Sequence, residues 1–204
     1  MNELRRYEFR EVQLTRDANR PSITGYASVF FDGTERTEFE LFPGVRERVD
    51  PSAFDKTLSR GDDVRALFNH DPTQILGRST SGTLRLRTDA IGLRYDVDLG
   101  ESSIARDVAE HIQRRDVTGS SFAFLIREED WETLESGVDI RTIKQADLFD
   151  VGPVTFPAYE GSSVELKSFQ IEEARRSWAA YTRARKDRLL MRSKKVIDLS
   201  RVRR

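Results

Sequence analysis

The sequence predicts a mainly β protein of the α+β class, in which a few helices surround the strands. The clearest observation is a hairpin in which Leu84 and Leu86 alternate with arginines and, after the turn TDAIG, apolar and charged residues alternate through 93–99. Such alternation is typical of an antiparallel pair with one solvated face. Most other apolar runs are short, rich in aromatic and β-branched residues, and bounded by turn residues, as strands are.

Nine segments have the composition of strands. The first two are expected to pair around the loop DANRP, and Pro153 is expected to keep the last run from being a regular central strand because proline has no N–H to donate. The predicted strands are 5–14, 22–31, 64–69, 74–78, 84–87, 93–99, 117–126, 138–144 and 147–156.

Helical signals occur in three places. A short helix is expected to begin at Pro51, the first helical position, with Asp50 as its N-cap, and to end before Gly61. A second helix is predicted for 102–115, where one apolar stripe lies opposite charged residues. From residue 169 onward the pattern is again helical, without a sharp apolar face.

Charge divides the chain into an acidic body and a basic tail. The net charge of the 204 residues is −1, but residues 169–204 contain 12 Lys/Arg and 4 Asp/Glu, a charge of +8, which leaves −9 for residues 1–168. We therefore predict a folded domain over 1–165 and a basic, helical or disordered tail over 166–204.

Composition also limits the chemistry. The chain has no cysteine, which excludes disulfides and thiolate metal sites, and only two histidines, too few for a typical zinc site. No apolar run approaches the roughly 18 residues of a membrane span, and the N-terminus does not have the apolar centre of a signal peptide. These observations predict cofactor-free chemistry inside a cell, without membrane contact.

The segment VTGSSFAFLI, Val117–Ile126, contains a candidate nucleophile. In a strand, Phe122 and Phe124 would face one side and Ser121 the less crowded other side. Gly119 would allow a bend or a close approach. Alone this signal is weak, because most serines in strands are merely tolerated there, and a nucleophilic serine requires a base.

His70 is the candidate base. It ends a predicted strand at the sequence NHDP, where an imidazole would be partly desolvated. The alternative is a histidine that caps the turn, and the residue types alone favour this alternative. Asp71 is interpreted as a turn former before Pro72, and His111 as a solvated residue on a helix flank.

Taken together, the segments LFNHDPTQILGR, VTGSSFAF and LFDVGPVTFPAY resemble the prohead (procapsid maturation) protease family of tailed bacteriophages. GYASVFF, PGV followed by DPSAF, and the GTLRL hairpin match in the same order. The resemblance extends from about Gly25 to Val164.

This resemblance implies a serine endopeptidase whose fold is similar to the herpesvirus capsid maturation protease, an antiparallel β-barrel wrapped by helices. Carried over by position, the nucleophile is Ser121, the general base is His70, and the orienting acid is Asp150, where the family is associated more with glutamate. Ser120 stands where a larger apolar residue is expected. The oxyanion is expected to be stabilised by backbone amides, with the loop AYEGSS after Pro157 as a candidate.

The resemblance also implies partners. The enzyme would act in the host cytoplasm inside the assembling procapsid, on scaffold and extensions of the major capsid protein, and would cleave its own tail; an oligomer is possible, as in the herpesvirus relatives. Two alternatives stay open: an inactive, protease-like structural component of the capsid, and a nucleic-acid-binding module that uses the +8 tail. The acidic body and the absence of a groove-reading motif argue against nucleic acid. The tail itself is either a solvated helix or a segment that docks inside the shell.

Overall fold

The computed structural model describes residues 12–17, 20–156 and 164–202, without the side chains of 16, 17, 20, 164–171 and 192–202. The chain divides into two compact units, 1–162 and 163–204. In chain order the strands are β1 (Gln13–Asp17), β2 (Arg20–Val29), β3 (Phe39–Phe42), β4 (Val45–Val49), β5 (Arg65–Leu67), β6 (Ile75–Arg78), β7 (Leu84–Thr88), β8 (Gly92–Asp98), β9 (Gly119–Thr133) and β10 (Asp139–Val154), and the helices are α1 (Asp55–Arg60), α2 (Ser103–Arg114) and α3 (Val164–Val202).

The first sheet has the order β1-β2-β8-β7 and is antiparallel throughout. The predicted β7–β8 hairpin is confirmed: Leu84 lies opposite Val97 and both are buried, while Arg85 reaches Asp98 on the solvated face at 2.6 Å. The predicted pairing of the first two segments is also confirmed for its described part, with β1 ending at Asp17 rather than at residue 14. One apolar face per strand fixes this register, because a one-residue slip would expose the core residues.

The second sheet is mixed and has the order β3-β4-β10-β5-β6, with β9 on the other edge of β10. β10 is long enough to take two parallel partners along one edge: Asp139–Ile143 pairs with β4, and Asp150–Val151 pairs with β5. The described strands form two open sheets rather than the closed antiparallel barrel that was expected. The parallel pairs arise because β4 and β5 are joined by α1 and its flanking turns, and such a crossover lets both run in one direction.

The core of the first unit is formed by the inner faces of the strands together with residues around α1 and α2. Phe54 is fully buried and contacts the ring of Phe122 edge to face at a centroid distance of 5.6 Å. Phe122 in turn stacks on Phe124 at 4.6 Å. The aromatic side chains of β9 that face the core therefore anchor the strand that also contains Ser121.

The two helices of the first unit follow their predicted signals with one difference. α1 begins at Asp55 rather than at Pro51, because the Asp50 carboxylate accepts a hydrogen bond from the Ser52 N–H at 2.9 Å and holds 50–53 in a turn. Gly61 ends α1 in the left-handed conformation, φ 67°, as expected of a C-terminal glycine. α2 matches its prediction, with the Ser102 hydroxyl capping the Ala105 N–H at 3.3 Å.

The β9–β10 hairpin is longer than predicted. β9 continues through charged residues up to Thr133, beyond the predicted end at residue 126, because cross-strand pairs such as Arg141–Glu129 satisfy the charges. Pro153 does not take a regular central position, as expected, because the pairing of β10 with β5 ends at Val151. Pro153 lies one residue from the end of β10, pairs with Ser120, and its carbonyl accepts a hydrogen bond from the Asn69 N–H.

The second unit contains α3, which begins at Val164 and covers most of the basic tail. Its described surface includes three consecutive exposed apolar side chains, Leu189, Leu190 and Met191. In the described part of the chain, no helix is both long enough and apolar enough to span a membrane.

Candidate active site

The two adjacent serines of β9 face opposite sides of the sheet. Ser120 shares the core side with Phe122, and its hydroxyl lies 2.7 Å from the Tyr95 hydroxyl, in full burial. Burial raises the pKa of Tyr95 well above its ordinary value, so the phenol keeps its proton. Gly25 covers this pair so closely that a Cβ there would lie 2.7 Å from the Ser120 oxygen. The Ser120 hydroxyl thus connects the two sheets.

Ser121 lies on the other side of β9, opposite Gly152 of β10. Its residue exposure is 2 %. Gly152 has no room for a side chain, because a Cβ there would lie 2.0 Å from the Leu67 carbonyl oxygen of the adjacent strand. The position directly opposite Ser121 is therefore free of any side chain.

His70 and Asp150 are brought together across 80 residues of sequence. The imidazole Nδ1 lies 2.5 Å from Asp150 Oδ1, and the two side chains are only 11 % and 12 % exposed. This contact occupies Nδ1 and leaves Nε2 as the ring nitrogen that can accept a proton from another group. The geometry is that of an imidazole oriented by a carboxylate.

A bulge in β10 decides which side of the sheet Asp150 faces. Before it, Leu148 pairs with Phe124 and faces the core; after it, Val151 pairs with Phe122 and faces the core. The shift lies between Leu148 and Asp150, so Phe149 is the extra residue and is 55 % exposed. Without this extra residue, strict alternation from Leu148 would turn Asp150 into the core.

The register then places Asp150 on the side of the sheet that Ser121 occupies. Asp150 pairs with Ala123, and Gly152 pairs with Ser121, so Asp150 and Ser121 are diagonal neighbours in an antiparallel pair. Side chains in such diagonal positions, roughly 7–8 Å apart at the backbone, are within reach of a long or aromatic group. The imidazole bonded to Asp150 is such a group, and Gly152, opposite Ser121, contributes no side chain on this side of the sheet.

The other predicted polar residues have simpler surroundings. Asp71 accepts hydrogen bonds from the N–H and hydroxyl of Thr73, which lower the pKa of its carboxyl group, and it forms the turn as predicted. His111 is 47 % exposed on the flank of α2, 3.6 Å from Asp116, as expected of a solvated histidine. Because Asp71 closes the turn and the His70 ring reaches Asp150 instead, turn capping by His70 is not what the structure shows.

Oxyanion donors and metal ligands are the two other kinds of group that were considered from the sequence. The loop AYEGSS, proposed to supply oxyanion donors, lies outside the described residues. Within the described ranges, no group of three or more His, Asp or Glu side chains is placed to hold a metal ion.

Sequence reasoning missed three contributors to the site: the bulge at Phe149, the side-chain-free position at Gly152, and the contacts of Asn69. The bulge does leave a signal, since the core residues switch from even positions, Ala146 and Leu148, to the odd position 151. Gly152 beside a proline in a strand also indicates a close backbone approach.

Comparison with known proteins gives one match. The sequence model of the caudovirus prohead serine protease family matches residues 5–177. No curated protein sequence and no solved structure matches the chain. The family match includes all three predicted site residues, Ser121, His70 and Asp150.

Proposed function

The chain belongs to the caudovirus prohead serine protease family, and on that premise we propose that it is an active serine endopeptidase in which Ser121, His70 and Asp150 form the catalytic triad. The observation that carries this proposal is the 2.5 Å contact between His70 Nδ1 and Asp150 Oδ1, on the side of the sheet that Ser121 shares. Family membership alone supplies a role in phage head maturation; the geometry supplies candidate groups for the chemistry.

In the proposed reaction the Ser121 Oγ attacks the carbonyl carbon of a substrate peptide bond. A serine hydroxyl is a weak nucleophile near neutral pH, so His70 Nε2 takes its proton during attack. The same proton passes to the leaving amine as the C–N bond breaks, which leaves an acyl ester on Ser121. Water then attacks the ester with His70 again as base, which releases the acid product and restores the hydroxyl.

Asp150 would act through His70. Its carboxylate accepts the Nδ1–H, which selects the tautomer whose Nε2 is free, and it stabilises the imidazolium that forms during attack. Partial burial of both side chains strengthens this interaction relative to water. Aspartate is shorter than the glutamate associated with the family at this position. The His70 turn lies close to β10, so the shorter side chain reaches the imidazole.

We propose that the substrates are scaffold and extensions of the major capsid protein, cleaved inside the procapsid in the host cytoplasm, and that the enzyme also cleaves its own basic tail. The +8 segment would dock against acidic surfaces of the assembling shell. Loss of scaffold and tail is irreversible and would drive maturation in one direction.

Co-expression with the capsid precursor of the same phage tests this proposal. Ser121→Ala is expected to abolish cleavage of the precursor and shortening of the chain itself, both measured by intact mass. The matched control Ser120→Ala removes a neighbouring hydroxyl of the core face and is expected to keep most cleavage. Full cleavage by Ser121→Ala would refute the assignment of the nucleophile.

A second candidate function is an inactive, protease-like structural component of the capsid. The observation that favours it is the 2 % exposure of Ser121, which leaves little surface for a substrate to contact. If the wild-type chain cleaves neither precursor nor itself inside assembled procapsids, this candidate is the better one.

A further inference from the structure

The turn that contains His70 has an unusual backbone. Asn69 and His70 have φ values of 55° and 58°, two consecutive non-glycine residues in the left-handed region. Each such residue costs energy and persists only where the surrounding contacts hold it. Asparagine and histidine are both found in this region more often than most side chains, but two such residues in succession still need contacts that hold the turn.

Asn69 makes three hydrogen bonds to Pro153 at the end of β10 and to Thr155, the first residue after it. Its backbone N–H donates to the Pro153 carbonyl at 3.1 Å. Its side-chain Oδ1 accepts from the Thr155 N–H at 2.8 Å, and its Nδ2 donates to the Thr155 hydroxyl at 3.2 Å. An amide side chain provides the acceptor and the donor together, which neither glycine nor alanine could do.

Other contacts of the turn are internal to it. The Phe68 N–H donates to the Gln74 carbonyl, and the Asp71 N–H donates to the Phe68 carbonyl. These bonds shape the turn but do not fix it to β10. β5, which precedes the turn, pairs with Asp150–Val151 of β10, and beyond the end of β5 the described contacts that tie the turn to this strand come from Asn69 and the His70 ring.

We propose that Asn69 is a positioning residue, which clamps the strained turn onto residues 153–155 so that the His70 imidazole meets Asp150. The inference rests on the proposed function for its catalytic consequence. Because Asp150 and the clamped residues belong to one continuous segment, the clamp fixes the distance between the turn and Asp150. Loss of the clamp releases the backbone strain and lets the imidazole leave its productive orientation.

The kinetic test uses the full chain and an alkyl fluorophosphonate. In this reaction the Ser121 Oγ–P bond forms as the P–F bond breaks, fluoride leaves, and His70 takes the hydroxyl proton. Asn69→Gly keeps the backbone conformation accessible and removes both side-chain bonds. It is expected to lower the inactivation rate constant, kinact, about 10²-fold, with the reagent affinity KI unchanged, because misplacement of a catalytic group costs roughly that much.

Substitutions of Thr155 test the clamp from its other partner. Thr155→Val removes the hydroxyl that accepts from Asn69 Nδ2 and is expected to lower kinact about 3- to 10-fold, the effect of one hydrogen bond. Thr155→Ser keeps the hydroxyl and is expected to restore the wild-type rate. The double variant Asn69→Gly with Thr155→Val should be no slower than Asn69→Gly alone. Thr80→Val is the matched control, because it removes the hydroxyl of another exposed threonine, which donates to Asp63 and makes no bond to Asn69.

A structural readout separates positioning from general destabilisation. The chain has two histidines, so the imidazole proton signals of His70 and His111 can be assigned by NMR. Asn69→Gly is expected to weaken or shift the signal of the His70 Nδ1–H bonded to Asp150, while the His111 signals stay unchanged. Thermal unfolding of each variant shows whether the fold is retained, and if Asn69→Gly is unfolded, the Thr155 pair decides.

The outcomes separate the two proposals. If the wild-type chain fails to react with the fluorophosphonate, the proposed function fails, and the NMR comparison still decides whether Asn69 positions His70. If the wild type reacts and Asn69→Gly reacts at the same rate with an unchanged His70 signal, the positioning role is overturned.

Discussion

Ser120 and Ser121 are neighbours in the sequence, and the alternation of a β-strand gives their hydroxyl groups different surroundings. Ser120 faces the core and lies against the buried Tyr95 hydroxyl, while Ser121 faces the side that Asp150 shares. Ser120 therefore has a structural explanation that needs no chemistry. This distinction leads to a prediction about stability for one serine and about activity for the other.

Tyr95→Phe is expected to lower the free energy of unfolding by about 1–3 kcal/mol, because it leaves the Ser120 hydroxyl buried without its partner. Ser120→Ala should have a similar cost, because it leaves the Tyr95 hydroxyl buried without its partner. The double variant is expected to cost less than the two single changes added together. Urea denaturation of the four proteins measures this, and strictly additive costs would mean that the two hydroxyls do not interact.

Asp150→Asn is expected to reduce the rate of peptide cleavage by roughly 10³–10⁴-fold, since an amide donates to Nδ1 and selects the wrong imidazole tautomer. The matched control Asp147→Asn changes an acid of the same strand that pairs with Arg60 and Arg127 instead. It should leave the rate within a few fold of wild type. Equal rates for wild type and Asp150→Asn would exclude Asp150 as the orienting acid.

At the scale of elements, β10 organises the site: β9 with Ser121 lies on one edge, and β5, which leads to the His70 turn, lies on the other. The bulge at Phe149 lets Leu148 face the core while Asp150 faces the opposite side. Bulges are frequent next to active sites because they re-aim a single side chain.

The bulge predicts that two phenylalanines of one hairpin contribute very differently to the free energy of unfolding. Phe149→Ala removes an exposed, unpaired ring and is expected to change the free energy of unfolding by less than about 0.5 kcal/mol. Phe122→Ala removes a buried ring that contacts Phe54 and should cost about 3–5 kcal/mol. Urea denaturation of both variants checks this, and a large cost for Phe149→Ala would show that the ring is buried in the folded protein.

The sequence predicts the local elements well where one pattern dominates. The β7–β8 hairpin, α2 and the orientation of Phe122 follow from alternation or helical period. The side of the sheet that Asp150 faces does not follow from alternation, because the one extra residue at the bulge reverses the alternation without changing the composition. The parallel partners of β10 and the clamp at Asn69 depend on contacts between distant segments, 86 residues apart for Asn69 and Thr155, and local patterns contain no information on such pairing.

At the scale of the whole molecule, the acidic body is stabilised by ion pairs whose carboxylates have lowered pKa values. The Arg60 guanidinium donates to Asp62 and to Asp147, 2.5 and 2.6 Å away, and lowers the pKa of both carboxyl groups. Hydrogen bonds from Thr34 lower the pKa of Asp32 to about 2. Each of these groups binds a proton more readily in the unfolded chain than in the folded one.

The first unit is therefore expected to lose stability in acid. A carboxyl group with a lowered folded pKa contributes its full stability above the unfolded pKa, near 4, and loses it as the pH falls through the folded value. The urea midpoint should fall between pH 4 and pH 2 and stay nearly constant from pH 5 to 7. Arg60→Gln should flatten this dependence, and a midpoint that rises on acidification would contradict the assignment of the ion pairs.

The fluorophosphonate adduct, mapped by peptide mass spectrometry on the full chain, tests most directly whether Ser121, His70 and Asp150 act together. We predict one adduct, on the peptide that contains Ser120 and Ser121, and fragmentation should assign it to Ser121. His70→Gln should lose the adduct, and His111→Ala should keep it. An adduct on Ser120 or another serine, or equal labelling of His70→Gln, would contradict the triad.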